Sequence, residues 1–213
     1  EGLKTSSTAS NSLKKQEGDY FDTILSYVLD LDRRDQLYQP RDGFRSRFSQ
    51  EIPVLSDNPS IINGYEINSY YEYLSDVVAS ASFYVSSANS IGNKDVKISD
   101  RLYLPSKKLR GFEPGKVGPV DNGDFVGGNY ITAINLSSDL PIFKSFEKTN
   151  FIMFFDIGNV WGVDYSSSIS NSNKVRSAVG VGLDFFTPIG PLNFTLSQPI
   201  SKMKTDKTET FRF

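Results

Sequence analysis

Apolar and polar residues alternate one by one along most of this chain. In 151–161, for example, Phe151, Met153 and Phe155 fall on one side of the alternation and Asp156 on the other. Because successive side chains of a β-strand point to opposite faces, this period of two predicts strands with one apolar face and one polar or small face. The nine predicted strands are residues 20–32, 43–52, 64–74, 77–86, 129–140, 151–161, 176–185, 191–200 and 208–213.

The lengths of the strands and of their connectors favour a membrane protein. Most of the predicted strands have 10 to 13 residues, whereas strands of soluble proteins usually have about 5–6 and a tilted membrane strand needs about 9–11. Longer polar connectors alternate with shorter ones, as in outer-membrane barrels. The connectors 1–18, 53–63, 87–128, 162–175 and 201–207 would all lie outside the cell. The pattern predicts an all-β fold, an antiparallel transmembrane β-barrel.

A soluble antiparallel sandwich is the alternative, since its strands alternate in the same way. It would bury the same apolar faces against each other. Against it stand the strand lengths and the small residues on the polar faces of 77–86 and 176–182, where Gly, Ala and Ser replace the Lys and Glu of an open surface. Small side chains suit a crowded lumen better than water.

The amino-acid composition excludes several kinds of catalytic and metal site. The 213 residues fit one domain or two, and a net charge of −2 gives no sign of a nucleic-acid partner. There is no cysteine and no histidine, which excludes disulfides, thiolate metal sites, a Ser-His-Asp triad and most zinc and copper sites. No apolar run approaches the about 18 residues of a membrane helix, while 16 Phe and 11 Tyr suit aromatic girdles. We expect no enzyme activity, no metal and no cofactor.

The long Gly- and Pro-rich segment 87–128 carries the tripeptide Arg110-Gly111-Phe112. A loop of this length is uncommon in a compact fold unless it is functional. The alternation places Asp156 on the lumen face. An arginine on a loop inserted there needs an acceptor, and a carboxylate matches its planar guanidinium. We predict that Arg110 binds Asp156 with Phe112 beside it; the alternative is a solvated arginine on a mobile external loop.

Several motifs, in this order and spacing, resemble the BamA family of outer-membrane protein assembly factors. The matching segments are 16–21, 32–44, 110–112, 155–161, 177–182 and 187–192. The residues of the family's signature turn are Asp32, Arg34, Asp35, Pro40 and Gly43. In this resemblance the tripeptide is the tip of the sixth extracellular loop, 155–161 is the strand that receives it, and the last two segments form the closing hairpin. One departure is Ser137, where the family often has a glutamate; Asp139, on the same face, is the candidate replacement as a second loop acceptor.

The resemblance implies the fold and the function together. Residues 1–213 would be the last nine strands of a sixteen-stranded barrel, with 107–128 inserted into the lumen. The chain would be a fragment truncated at both ends that lacks the periplasmic repeat domains. Phe211, Arg212 and Phe213 would belong to the seam between first and last strands.

The implied function is that of an outer-membrane protein insertase in a Gram-negative-type bacterium. Its partners would be unfolded outer-membrane β-barrel substrates, outer-membrane lipids and the assembly lipoproteins of the same complex. A polypeptide-secreting relative of the same barrel family and a passive porin are the alternatives.

Overall fold

The computed structural model describes residues 2–143, 149–167, 169, 174–187 and 190–213. In chain order the strands are β1 (Gly2–Leu3), β2 (Gly18–Asp19), β3 (Asp22–Asp32), β4 (Asp42–Ser56), β5 (Ser60–Leu74), β6 (Val77–Ser90), β7 (Val120–Asp121), β8 (Asp124–Phe125), β9 (Tyr130–Leu140), β10 (Thr149–Trp161), β11 (Arg176–Thr187), β12 (Gly190–Ser201) and β13 (Phe211–Arg212). One short helix, α1 (Asn11–Lys14), and two 3-10 turns, Ile98–Asp100 and Pro141–Phe143, complete the elements. Within these ranges no helix has the length and apolar character needed to cross a membrane.

Nine strands form one antiparallel sheet in the order β3-β4-β5-β6-β9-β10-β11-β12-β13. Neighbours in the sheet are neighbours in the chain except at one point, where β6 pairs with β9 across the segment 91–129. The short strands β7 and β8 lie in that segment and pair with each other. The predicted set of nine antiparallel strands is confirmed.

Several predicted boundaries are wrong, and β6 for example continues to Ser90. The connector 53–63 is mostly strand, because β4 and β5 have 15 residues each and only 57–59 separates them. Pro53 cannot donate to a ladder, but β4 accommodates it beside a bulge where Thr23 pairs with Leu55 and Ile24 with Pro53. The predicted strand 208–213 is reduced to the two residues of β13.

The two faces of the sheet differ as the alternation predicts. One face leaves large apolar side chains exposed, among them Leu29, Leu136, Met153 and Leu196. On the other face, the part from β5 to β12 is covered by residues 104–118, here called the inserted loop. The main buried cluster joins Leu104, Leu109, Phe112 and Val117 of this loop to Ile131, Ala133, Val160 and Ala178 of the sheet. Because the exposed apolar faces do not pack against each other, the soluble sandwich is wrong.

A second cluster closes the end of the sheet from which segment 91–129 emerges. Its buried members are Ala9, Leu13, Val126, Val163 and Ile169. We call this region, residues 2–20, 95–101, 119–129, 162–167 and 169, the cap. Residues 119–128 were predicted to enter the lumen with the loop, but Val126 packs in the cap instead.

Candidate functional site

Arg110 holds the inserted loop to the inner face of the sheet through Asp156 of β10. Its Nε lies 2.8 Å from Asp156 Oδ2 and its Nη2 2.8 Å from Oδ1, while its backbone N–H donates to Oδ2 at 3.0 Å. The Asp156 side chain is fully buried, and the ring of Phe154 lies 3.4 Å from the guanidinium carbon. The structure brings Arg110 and Asp156 together as predicted, in the bidentate geometry that only arginine provides.

Gly111 and Phe112 also hold the loop against the sheet. Gly111 has φ +87°, a conformation that residues with a Cβ rarely adopt, and an added Cβ would lie 3.2 Å from the Cβ atoms of Ala178 and Ser197. Phe112 is 1% exposed and belongs to the main buried cluster. The tripeptide therefore docks by an ion pair, a tight backbone and an apolar side chain.

Asp139 is not an acceptor for the loop, so that prediction is wrong. Its carboxylate accepts a hydrogen bond from Asn150 at 2.9 Å. Asp139 lies four residues along β9 from Asn135, roughly 13 Å away. The Asn135 amide donates both to Asp156 Oδ1 at 2.8 Å and to the backbone carbonyl of Lys108 at 2.9 Å. The β9 side chain that contacts Asp156 is thus the neutral amide of Asn135, not the carboxylate of Asp139.

Lys108 provides a second anchor that the sequence analysis missed. Its Nζ lies 2.6 Å from Glu66 Oε1 of β5 and 2.9 Å from Ser82 Oγ of β6. It also lies 5.6 Å from the centre of the Tyr84 ring. The alternation assigns Glu66 and Ser82 to the same polar face as Asp156. Lys108 is a cation two residues before Arg110, so Glu66 could have been predicted as its acceptor.

The predicted seam residues divide between the two faces. Phe211 pairs with Leu196 of β12 and is exposed with it, and Phe213 is also exposed. Arg212 points to the inner face, where its Nη2 donates to the Phe112 carbonyl at 2.7 Å. Thus Arg212 contacts the loop motif, and the two phenylalanines extend the apolar outer surface.

The signature turn lies at the other end of the sheet and does not contact the loop motif. The Arg34 guanidinium makes two hydrogen bonds to Asp32, at 2.8 and 2.6 Å. Asp35 Oδ1 accepts from the backbone N–H groups of Arg41 and Asp42, at 3.0 and 3.2 Å. Burial alone would raise the pKa of the Asp35 carboxyl, but these and other backbone hydrogen bonds lower it.

Two backbone features complete this turn. Pro40 follows Gln39, which has φ 49°. Gly43 has φ +90°, and a Cβ there would lie 2.1 Å from the Arg33 carbonyl oxygen. The turn residues therefore fix the connection between β3 and β4.

Arg101 joins three parts of the cap, the stretches 95–101, 119–129 and 162–167. Its side chain is fully buried, forms an ion pair with Asp164, and donates to Asn129 Oδ1 at 3.0 Å. Asp164 also accepts from the Val96 backbone N–H at 2.9 Å. Burial tends to raise the pKa of the Asp164 carboxyl, but the bonds from Val96, Asn129 and Arg101 outweigh it and the pKa is lowered. The carboxylate form is thus the one that this site stabilises.

Within the described ranges, no group of three or more His, Cys, Asp or Glu side chains is arranged to hold a metal ion.

Comparison with known proteins gives consistent matches. The Omp85 superfamily domain matches residues 2–213. Outer membrane protein assembly factor BamA of Neorickettsia risticii is 26% identical over 211 residues, which are 96% of this chain and 28% of the relative. The sorting assembly machinery 50 kDa subunit of Saccharomyces cerevisiae is 32% identical over 215 residues, which are 92% of this chain and 43% of the relative.

A solved structure matches at the level of the fold. The crystal structure of BamA from Haemophilus ducreyi lacking POTRA domains 1–3 gives a TM-score of 0.79 at 24% identity, over 88% of this chain and 41% of that one. The chain therefore spans less than half the length of each of these three relatives.

Proposed function

Because this chain belongs to the Omp85 superfamily, as its resemblance to the BamA family indicated, we propose that the protein assembles and inserts β-barrel proteins into an outer membrane. The observation that carries the proposal is the family match over residues 2–213. Relatives from a bacterium and from yeast bear names that refer to assembly. The BamA-family resemblance read from the motifs is confirmed.

The site supports a mechanical role in this process. The inserted loop lies on the inner face from β5 to β12, and ion pairs from Lys108 and Arg110 hold it on β5 and β10. A loop anchored on the inner face argues against a passive porin, whose inner face lines a water channel. In the proposed mechanism, an exposed strand edge of the barrel pairs with a strand of the substrate, as open sheet edges do. The loop keeps the sheet in shape while that edge is in use.

The proposed partners follow from the proposed activity. They are unfolded outer-membrane β-barrel substrates, the surrounding lipids and the assembly lipoproteins of the same complex. We place the protein in the outer membrane of a Gram-negative-type bacterium. A eukaryotic outer membrane is the competing location, since yeast and human relatives are 32% and 30% identical, and fractionation of the source cells with a marker for each membrane decides between the two.

The test uses the full-length protein in lipid vesicles. An unfolded β-barrel substrate is added, and its folded fraction is followed by the band shift that folded barrels show on unheated gels. We expect faster folding than in empty vesicles, and slower folding with Arg110→Ala.

Equal rates with and without the protein would refute assembly. Transport of an added polypeptide into the vesicles, without its insertion, would favour the secreting relative instead. A large steady conductance would restore the porin alternative.

A further inference from the structure

Arg176 and Asp206 form an ion pair in which both side chains are fully buried. Arg176 Nε and Nη2 lie 3.0 and 3.1 Å from the two carboxylate oxygens of Asp206. Arg176 Nη1 donates to Asn159 Oδ1 at 2.5 Å and to the Lys174 carbonyl at 2.9 Å. Asp206 Oδ2 also accepts from the Met203 backbone N–H at 2.6 Å. Every charged group in this cluster is therefore paired and hydrogen-bonded.

A pair of this kind is better suited to fixing a position than to adding stability. The cost of removing both charges from water offsets most of their attraction, so an apolar pair of similar size would stabilise the fold as well. The apolar pair would not fix the direction of the chain. Arg176 begins β11 and so belongs to the rigid sheet, whereas Asp206 lies in the connection between β12 and β13.

The residues after Asp206 hold the backbone of the loop motif. Lys207 accepts from the Glu113 N–H at 3.0 Å and donates its own N–H to the Lys116 carbonyl at 3.1 Å. The Glu209 N–H donates to the Gly111 carbonyl at 3.1 Å. Together with the Arg212 bond to the Phe112 carbonyl, segment 206–212 fixes the backbone on both sides of Phe112.

We propose that Arg176 and Asp206 are positioning residues for the Arg110-Gly111-Phe112 motif, acting through segment 206–212. The motif then has two separate attachments, the Arg110 side chain on β10 and its backbone on this segment. Because the segment leads directly into β13, displacement of β13 from β12 pulls on the motif. The inference concerns how the loop is seated, and it holds whether or not the protein assembles other barrels.

The test measures access to the inserted loop in the full-length protein in lipid vesicles. Val117 is 5% exposed and packs in the cluster with Phe112, and the chain has no cysteine of its own. Any cysteines outside this chain are first replaced, and Val117→Cys is then modified with a water-soluble maleimide. We expect Arg176→Ala to raise the modification rate about tenfold or more, because the carboxylate of Asp206 is left buried and unpaired.

Further variants separate positioning from general loosening. Asp206→Asn should raise the rate as Arg176→Ala does, and the double variant should add little because both act on one contact. Arg176→Lys keeps the charge but lacks the planar fork, so it should restore the slow rate only in part. Val78→Cys, 8% exposed on β6, should stay slow in all of them.

Arg41→Ala is the control for losing an arginine ion pair elsewhere, since Arg41 binds Glu72 near the end of β5 and Asp76 in the following turn, at the other end of the sheet. It should leave Val117→Cys slow. If Arg176→Ala does not fold, the isosteric Asp206→Asn decides. An unchanged rate at Val117→Cys in a folded variant, or an equal rise at Val78→Cys, would overturn the proposal.

Discussion

The ring of Phe154 can lie against the Arg110 guanidinium because its cross-strand neighbour on β11 is Gly180. A Cβ at position 180 would lie 2.4 Å from Phe154 Cζ and 2.3 Å from the Leu196 carbonyl oxygen. We therefore expect Gly180→Ala to destabilise the folded state by about 1–3 kcal/mol, the usual cost of overpacking. The measurement is the temperature at which half of the full-length protein has lost the band shift that folded barrels show on gels.

Gly182→Ala is the matched control, two residues along the same strand. An added Cβ there meets its nearest atoms at 3.7 Å, an ordinary contact. Equal midpoints for the two variants would show that the ring of Phe154 moves aside without cost.

The pairing of Arg110 with Asp156 makes a second prediction for single residues. In a double-mutant cycle with Arg110→Ala and Asp156→Ala, we expect a coupling free energy of about 1–3 kcal/mol, since the two groups share a buried bidentate contact. Unfolding of the full-length protein in denaturant gives the four stabilities. A coupling of zero would mean that the contact contributes nothing. Arg110→Lys should recover less than half of the loss.

At the scale of elements, the turn between β3 and β4 depends on Gly43 for two separable reasons. Its φ is +90° and the Arg33 carbonyl fills the space of a Cβ. Gly123 has nearly the same φ, +91°, with no atom within 4 Å of the added Cβ. We expect Gly123→Ala to cost about 1 kcal/mol from the backbone alone and Gly43→Ala clearly more, measured by denaturant unfolding. Equal losses would show that the turn relaxes around the new Cβ.

The cap should loosen in acid. A carboxyl whose folded-state pKa is lowered stabilises the fold above its ordinary pKa, about 4, and loses that contribution as the pH falls through the lowered value. Asp164 is such a group. Burial raises the pKa of Asp100 and so acts in the opposite sense.

The measurement for the cap is hydrogen exchange of the Val96 amide, which donates to Asp164, corrected for intrinsic exchange. Protection should be steady above about pH 5 and fall as the pH is lowered below about 4, the ordinary pKa of that carboxyl, through its lowered value. Asp164→Asn should abolish the loss of protection in acid, and Asp100→Asn should make that loss steeper because the opposing contribution of Asp100 is gone. Constant protection in the unmodified protein over this range would contradict the prediction.

At the scale of the whole molecule, the exposed apolar face is the surface that meets lipid. Leu136 stands in the middle of β9 and is 46% exposed, and Ile142, 58% exposed, lies beyond the end of that strand. Leu136→Arg should destabilise the membrane-inserted state by about 2–4 kcal/mol and Ile142→Arg by about 0–1, because the cost of a charge depends on its depth. Unfolding from vesicles measures both. Equal effects would place Leu136 outside the hydrocarbon region.

Alternation along the strands was enough to predict the sheet and its two faces, because parity is a local property of each strand. For the contact of Arg110 with Asp156, alternation gave only the face on which Asp156 lies, and the resemblance to the BamA family indicated which loop and which strand meet. Neither predicted the contacts of segment 206–212 with the inserted loop. Those bonds are mostly between backbone groups of two segments without periodicity, so no side-chain pattern records them. The extension of β4 past residue 52 was missed for a similar reason, since the bulge that accommodates Pro53 depends on the partner strand β3.

The order in which this chain can fold follows from where the inserted loop is anchored. Lys108 reaches back to β5 and β6, which precede the loop in the chain, while Arg110 reaches forward to β10, which follows it. Lys108 has its partners only after β5 and β6 have paired, and Arg110 has its partner only after β10 has joined the sheet. Contacts between residues so far apart in the chain form slowly. The tripeptide therefore docks late, and its arrival in the lumen marks a sheet that is already assembled.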